Sequence, residues 1–539
     1  MKRFMTICLG AALTLMTSMS FTSCIDEVEP TDGASDGQVS GSESAVASLV
    51  SGLNSYATNI WNTSSFPASF GYPAIMIIRD IQSGELAYGD NANGCLFLNW
   101  LGDIYLSREY LVTQFLWYYQ TQYAGAATNA IAKIDTLASD ANKGYYAAAL
   151  AYRAMLYIDM AREYEWLPND ITQGVSPEGK DITGLTVPIV KEGMTEEQWQ
   201  NNPRAKKEDM AAFILGDLQK AASMIGYLDD ASKTMPHLDC IYGLMARCYM
   251  WLEDYPNAEK YARLAIDNST SAPVTQAQAL NTTSGFNDLS QWMWGTQYYT
   301  GYVNNLYCWT ANMCNEISYG YTGTQLGTYV QIDANMYNRI SDGDWRKLMW
   351  KAPEGTSLEG KNQFISAEVG AQLPGYASLK FRPGGGSIND YTVGNVVGVP
   401  FMRIEEMYFI EAEAAAHSDQ ARGKELLESF MKRHRNPNYT CRAADVIDEI
   451  VFQKAVELWG EGQYFFDVKR LNKTVTKDYN GTNHTAPYLY NTTTRPSWMN
   501  WQLSRLEEMN NSGVTGYNNP TLADQPYDCL LYTSDAADD

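Results

Sequence analysis

The chain has 539 residues, 45% hydrophobic and 19% charged, a balance that buries a sizeable core and excludes collagen-like, low-complexity and mostly disordered classes. Its 62 acidic and 39 basic residues leave a net charge of −23. Without a basic stripe, such a chain repels a nucleic-acid backbone and gains nothing from an anionic membrane surface.

The N-terminus reads as an export and anchoring signal. Lys2 and Arg3 form a positive n-region, and Phe4 to Ser20 carries no charge. Phe21-Thr22-Ser23-Cys24 then places small residues before a cysteine, which resembles a bacterial lipobox with Cys24 as the lipidated first mature residue. The alternative is an ordinary cleaved signal with an incidental cysteine. Asp26-Glu27-Val28-Glu29 follows, similar to the surface-export tag of some Gram-negative lipoproteins, and Thr31 to Ser44 is a Gly-, Ser- and Asp-rich tether. The expected organisation is a signal peptide over 1–23, a lipidated tether over 24–44 and a single domain over 45–528. Within the domain, a part spanning 45–400 carries the ligand loops and 401–528 forms the C-terminal part. Residues 529–539 look like translated adapter sequence and are expected to lie outside the native domain. No later stretch approaches the ~18 apolar residues that would span a bilayer.

The domain reads as amphipathic helix pairs. Helical spacing predicts helices over Ser107 to Leu137, Gly144 to Trp166 and Glu208 to Gly226. Asp239 to Asp267 predicts two helices joined by Asp254-Tyr255-Pro256-Asn257, Phe401 to Arg435 a further pair, and Asp448 to Asn472 one long helix. Large residues on one helix facing small ones on the next is the packing logic of tetratricopeptide repeats, without a strict 34-residue period. The fold expected is therefore mainly all-α, a TPR-like helix-pair scaffold with long irregular insertions over 168–205, 268–400 and 473–528. Of the nine cysteines, Cys240 and Cys248 sit too far apart on one helix to bridge, whereas Cys308 and Cys314 lie in an irregular segment and could pair.

Four segments together resemble the SusD/RagB family of outer-membrane nutrient-binding lipoproteins. They are AYRAMLYIDMAREY at 151–164, ARCYMWLEDY at 246–255, RIEEMYFIEAEA at 403–414 and ELWGEGQYFFDVKR at 457–470. They stand in the family's order and span most of the mature chain. Trp459-Gly460 and Gln463 depart from the family's usual Ala-Phe type pair and His. The resemblance implies a SusD-like fold, lipid-anchored in the outer membrane and facing the cell exterior. It also implies a SusC-like TonB-dependent transporter as partner and a glycan as the usual ligand, with peptides or other nutrients as alternatives.

A sugar ring offers an apolar C–H face that stacks on flat side chains, while Asn, Gln, Asp and Arg read its hydroxyls. From Phe286 to Tyr321 ten aromatics fall within 36 residues, without helical period and far above the chain's 12% average. Trp292, Trp294, Tyr298, Tyr299 and Trp309 are the candidate ligand contacts from this stretch, with Asn304, Asn305 and Asn312 between them. A second group nearer the N-terminus includes Trp61, Tyr72, Arg79, Asp80, Asn99 and Trp100. The family resemblance implies loops after the first helices at the ligand site, which adds Arg79 and Trp100 to the candidates, although Arg79 could equally pair with Asp80 or a neighbour.

Catalytic and metal signatures are weak. Gly355 to Asn362 nearly fits a P-loop but ends in Asn instead of the Mg²⁺-ligating hydroxyl. The four histidines make no H-x-x-x-H pair, and Asp342-Gly343-Asp344 is a turn before it is a calcium site. Glu405, Glu406, Glu411 and Glu413 are the nearest to glycosidase-type carboxylates, and are expected to form ion pairs with Arg403 or neighbours. No catalytic residue, metal or cofactor is therefore expected. The leading reading is a non-enzymatic glycan-binding lipoprotein that passes its ligand to the transporter. A peptide-binding protein, a surface glycan hydrolase and a structural adaptor are the alternatives.

Overall fold

A computed structural model describes residues 40, 42–89, 97, 107–169, 173–283, 285–323 and 327–520. Cys24 and most of the tether therefore lie outside the described residues.

The main helices are α1 (Glu43–Tyr56), α2 (Tyr72–Ser83), α3 (Leu111–Lys133), α4 (Asp140–Tyr164), α5 (Lys207–Met224), α6 (Leu238–Trp251), α7 (Tyr255–Asn268), α8 (Ile404–Ser418), α9 (Gln420–His434), α10 (Val446–Glu457) and α11 (Tyr464–Arg470). From α3 to α9 each helix packs on its successor, and α4, α6, α8 and α10 also touch in sequence, forming an inner row with α5, α7 and α9 outside. Burial explains the division. On α7 only Ala258, Ala262 and Ala265 are buried, one stripe at helical spacing. On α4 every residue from Ala147 to Ala161 is buried. The α6–α7 turn follows the expected chemistry: Asp254 caps α7 by accepting from Asn257 N, with Pro256 in the first turn. At Gly423 a Cβ would lie 2.4 Å from the Ala416 Cβ, so glycine permits the close approach of α8 and α9.

Two antiparallel pairs tie the insertions to this scaffold. β1 (Leu86–Tyr88) pairs with β3 (Val330–Ile332), Leu86 opposite Ile332; β2 (Trp294–Gln297) pairs with β4 (Gly398–Met402), Trp294 opposite Met402. The strand β4 leads almost directly into α8.

Two details depart from the sequence pattern. The single helix expected over Asp448 to Asn472 is broken into α10 and α11. Gly460 and Gly462 between them take φ of +77° and +70°, a left-handed backbone that interrupts a helix. A Cβ at Gly460 would sit 2.5 Å from the Phe381 ring, so the Trp459-Gly460 departure fits a turn packed under that ring. Helix α2 was not recognisable by period, because all twelve of its residues are buried.

The inner row encloses a network of buried charge. Glu457 receives Arg435 at 2.7 Å, Arg403 at 3.2 Å and Arg346 at 3.2 Å. Arg403 also reaches Glu405 and Glu461 at 2.9 Å, and Lys380 reaches Glu461 at 2.6 Å. Arg247 grips Glu406 at 2.6 Å, and Arg470 bonds Glu413. Burial alone would raise the Glu457 carboxyl; Arg435 and Arg403 instead hold it well below the usual carboxylate range. Under α2, Asp80 accepts from the Gly462 N–H at 2.8 Å and Glu85 from the Gly460 N–H at 3.3 Å. Burial pushes the Asp80 carboxyl up to about 7, and burial with the Asp80 charge raises Glu85 further.

Two outcomes follow. Glu457→Gln leaves three buried arginines short of a counter-charge, so urea unfolding should show a loss of about 3–5 kcal/mol, against about 0.5 kcal/mol or less for the exposed Glu425→Gln. The Asp80 pair has the opposite pH sign from Glu457. Below about pH 4 both folded and unfolded chains hold the Asp80 proton, and between about 4 and 7 only the folded chain does, so this contribution to stability is lost as pH rises through that window. Melting curves from pH 5 to pH 8 should therefore fall less steeply for Asp80→Asn than for the unsubstituted protein; an equal slope refutes the assignment.

Candidate functional site

The structure turns most of the predicted ligand contacts inward. Trp292, Trp294 and Trp309 are fully covered and Tyr298 nearly so. The Trp294 indole meets Tyr152 edge-on at 4.9 Å and Phe401 at 5.3 Å, and donates its Nε1–H to the Thr234 carbonyl at 3.2 Å. Trp292 packs on Phe286 and Trp309 on Phe381. The Tyr298 hydroxyl accepts from the Trp309 N–H at 3.3 Å. None of these rings offers a face to a ligand, and the expectation that they stack on sugar is corrected accordingly. Their role is to wedge the long insertion onto the helices. Glycines make the wedge fit: a Cβ at Gly295 would lie 2.6 Å from the Val399 carbonyl oxygen, and one at Gly398 would lie 3.0 Å from the Trp292 ring.

Arg79 is corrected in the same way. It lies fully buried on α2, bonds Glu163 at 2.6 Å and Asp159 at 2.9 Å, and stands 4.8 Å over the Phe466 ring. Arg162 shares Asp159 at 2.6 Å. Burial would raise Asp159, yet Arg79 and Arg162 hold it at about 2. The alternative reading of Arg79, a structural partner of neighbouring carboxylates, is the one observed, with Asp159 and Glu163 in place of Asp80. Tyr72 is buried too and donates its hydroxyl to Asp159. Trp100 and Asn99 lie outside the described residues. Trp61 keeps partial exposure, 6.2 Å from the ring of the exposed Tyr118.

What remains open is a surface built by three loops. Residues 299–302 form a tight turn in which the Tyr302 N–H donates to the Tyr299 carbonyl at 3.1 Å. Gly301 supplies the positive φ, +87°, that such a turn requires. The turn throws two rings outward: Tyr299 is 50% and Tyr302 89% exposed. Asn395 ties the second loop to the first by donating to the Asn304 carbonyl at 2.8 Å. The Ser318 N–H joins the third to the second by donating to Ile388 O at 2.9 Å. Tyr391 is exposed beside Tyr319 at 6.3 Å, and the half-buried rings of Tyr307 and Tyr321 lie 6.5 Å apart. The surface is neutral over most of its area. From 298 to 307 no residue is acidic or basic, and Asp390 is engaged by the backbone and hydroxyl of Thr392. Tyr391 escaped the sequence reading because it falls outside the dense aromatic run. The Thr300-Gly301 step was the available sign that Tyr299 and Tyr302 flank a turn.

Other side chains singled out for chemistry are engaged within the fold. Glu405 is bonded to Arg403 and Arg435, Glu406 to Arg247, Glu411 to Arg263 and Glu413 to Arg470, as the ion-pair reading expects. Asp342 holds Lys347 and Ser357, and Asp344 holds Arg346. Cys308 and Cys314 do not pair; they are free buried thiols at opposite ends of the short helix Trp309–Met313. Among the described residues, no group of histidine, cysteine and acidic side chains could hold a metal ion, and no helix is long and apolar enough to cross a membrane.

Comparison with known proteins gives a consistent picture. No curated protein sequence matches the chain. The SusD family, described by a sequence model, matches residues 264–522. Among solved structures, a SusD-like carbohydrate-binding protein of Bacteroides vulgatus superposes with a TM-score of 0.68 at 18% identity, covering 92% of this chain and 100% of its own. A SusD-superfamily protein of Bacteroides fragilis gives 0.63 at 16% identity, covering 88% and 99%. One of Bacteroides thetaiotaomicron gives 0.63 at 15%, covering 89% and 100%. The mainly helical, TPR-like architecture is thus a SusD-like fold along nearly the whole chain, and residues 264–522 match the sequence model of the SusD family.

Proposed function

We propose that the protein is an outer-membrane lipoprotein, anchored through Cys24, that binds a nutrient glycan outside the cell and passes it unaltered to a SusC-like TonB-dependent transporter. The observation that carries the glycan reading is the three-loop surface, where Tyr299 and Tyr302 stand exposed on a turn held by hydrogen bonds. Exposed tyrosines bring broad, rigid faces at low rotamer cost, and the neighbouring amides and hydroxyls suit an uncharged polyol. The buried carboxylates support binding without catalysis. Glycoside hydrolysis needs two carboxyl groups about 5–9.5 Å apart in an open cleft, whereas Glu405, Glu406, Glu411 and Glu413 lie buried and carry cation partners. The family match and a carbohydrate-binding structural neighbour add support for glycan as the ligand class.

Native gels containing single polysaccharides test the reading. Retardation by at least one glycan is expected, with no reducing sugar released. Tyr299→Ala with Tyr302→Ala should weaken binding about tenfold or more and leave the melting temperature unchanged, since both rings are exposed. Undiminished retardation in that double variant rules out the three-loop surface as the site. Cys24→Ser should shift the protein from the membrane to the soluble fraction in cells of the source lineage; persistence in the membrane rules out the lipid anchor.

A further inference from the structure

Helix α3, with Tyr157 and Met160 of α4, forms one wall of a long groove. Opposite it runs the segment 187–202, with Tyr56 at one end and Glu507 and Asn511 at the other. Two chambers, of about 550 and 620 Å³, share Thr121, Val190, Met194 and Trp199 and so form one continuous channel. Each falls within the ~300–1,000 Å³ typical of ligand pockets. None of its lining residues belongs to the three-loop surface.

Trp199 stands where the chambers meet and is 53% exposed. It sits on the short helix Glu196–Gln200, fixed by a reciprocal capping box between Thr195 and Gln198. Just beyond, Asn511 clamps Asn202 from both sides, accepting from its N–H at 2.8 Å and donating to its carbonyl at 2.7 Å. The helix that carries the half-exposed indole is therefore fixed before any ligand arrives, which lowers the ordering cost of binding.

Each acidic side chain of the groove already has a partner, and the one lysine of its lining, Lys191, stands 5.7 Å over the Phe213 ring. Glu192 bonds Arg153 at 2.7 Å, Glu196 accepts from Gln200 at 3.0 Å, and Glu507 accepts from the Trp117 indole at 3.1 Å. A neutral hydrogen-bonding group is left over. The exposed amide of Asn129 forms no hydrogen bond among the described residues. The floor is kept low at Gly125, where an added Cβ would meet nothing within 4 Å. Glycine in mid-helix disfavours the helix, and no neighbour here requires it, so its effect is to leave the channel open.

A half-exposed indole, a free amide and acidic groups already engaged by partners, in two joined chambers, match a saccharide chain. An amphipathic helix from a protein partner would instead need a continuous apolar stripe. We propose that this groove is a second saccharide-binding site, in which Trp199 stacks on a sugar ring and the α3 face receives the next units of the same polymer. The inference rests on the glycan reading above.

The test uses the full-length protein in native gels with soluble starch, dextran, xylan, galactomannan and hydroxyethylcellulose. Trp199→Ala removes the platform. Gly125→Leu fills the floor with a residue that favours the helix, so the scaffold is preserved. Each should weaken retardation by about tenfold with unchanged thermal melting, and either combined with Tyr299→Ala/Tyr302→Ala should weaken it beyond the double variant alone. If the unsubstituted protein is retarded and both groove variants match it, the groove inference is overturned, the groove is then open to a protein partner, and the glycan reading stands. If no polysaccharide retards the unsubstituted protein, the glycan reading itself fails and the groove inference falls with it.

Discussion

Three arginines from separate parts of the chain converge on one buried carboxylate, Glu457 at the end of α10. Arg346 comes from the long insertion, Arg403 from the start of α8 and Arg435 from the end of α9. Desolvating so many charges is costly unless each finds its counter-charge in good geometry. Once they do, the arrangement tolerates little displacement, because moving one partner strands another. The network thereby sets the relative positions of the inner helices, and with them the base on which the insertion is seated.

The four sequence segments that resemble the SusD family supply much of this network. Arg153, Asp159, Arg162 and Glu163 come from the first, Arg247 from the second, Arg403, Glu405 and Glu406 from the third, and Glu457, Glu461 and Asp467 from the fourth. The motifs are thus a description of how the scaffold holds together, not of what it binds. This is why Arg79, which looked like a ligand contact in sequence, belongs with Asp159 and Glu163 instead.

The insertion over 268–400 uses aromatic burial where the scaffold uses charge. Trp292, Trp294 and Trp309 anchor it against Phe286, Phe381, Phe401 and Tyr152. That anchoring frees short turns, Tyr299 to Tyr302 above all, to present rings outward from a rigid base. The exposed rings are then carried on loops while the fold bears the stability. The same division holds along α3, which packs on α4 and also borders the groove marked by Trp199.

Legible in the sequence were the helix pairs, the turn at Asp254 to Asn257, the ion-pair role of the α8 glutamates and the resemblance to the SusD family, because helical spacing, caps and charged motifs are local. The sequence could not show that α2 is a helix, since a fully buried helix has no polar face and so no period. Nor could it show that Gly460 and Gly462 break α10 from α11. For the candidate site it located the right insertion but not the right rings: of five aromatics chosen there, Tyr299 alone is exposed. Composition counts aromatic rings without saying which way they point. Their direction is decided by the pairing of β2 with β4, between residues about a hundred positions apart, and by where Gly301 turns the chain on that base, so which faces of those rings meet water is settled only once the chain is folded.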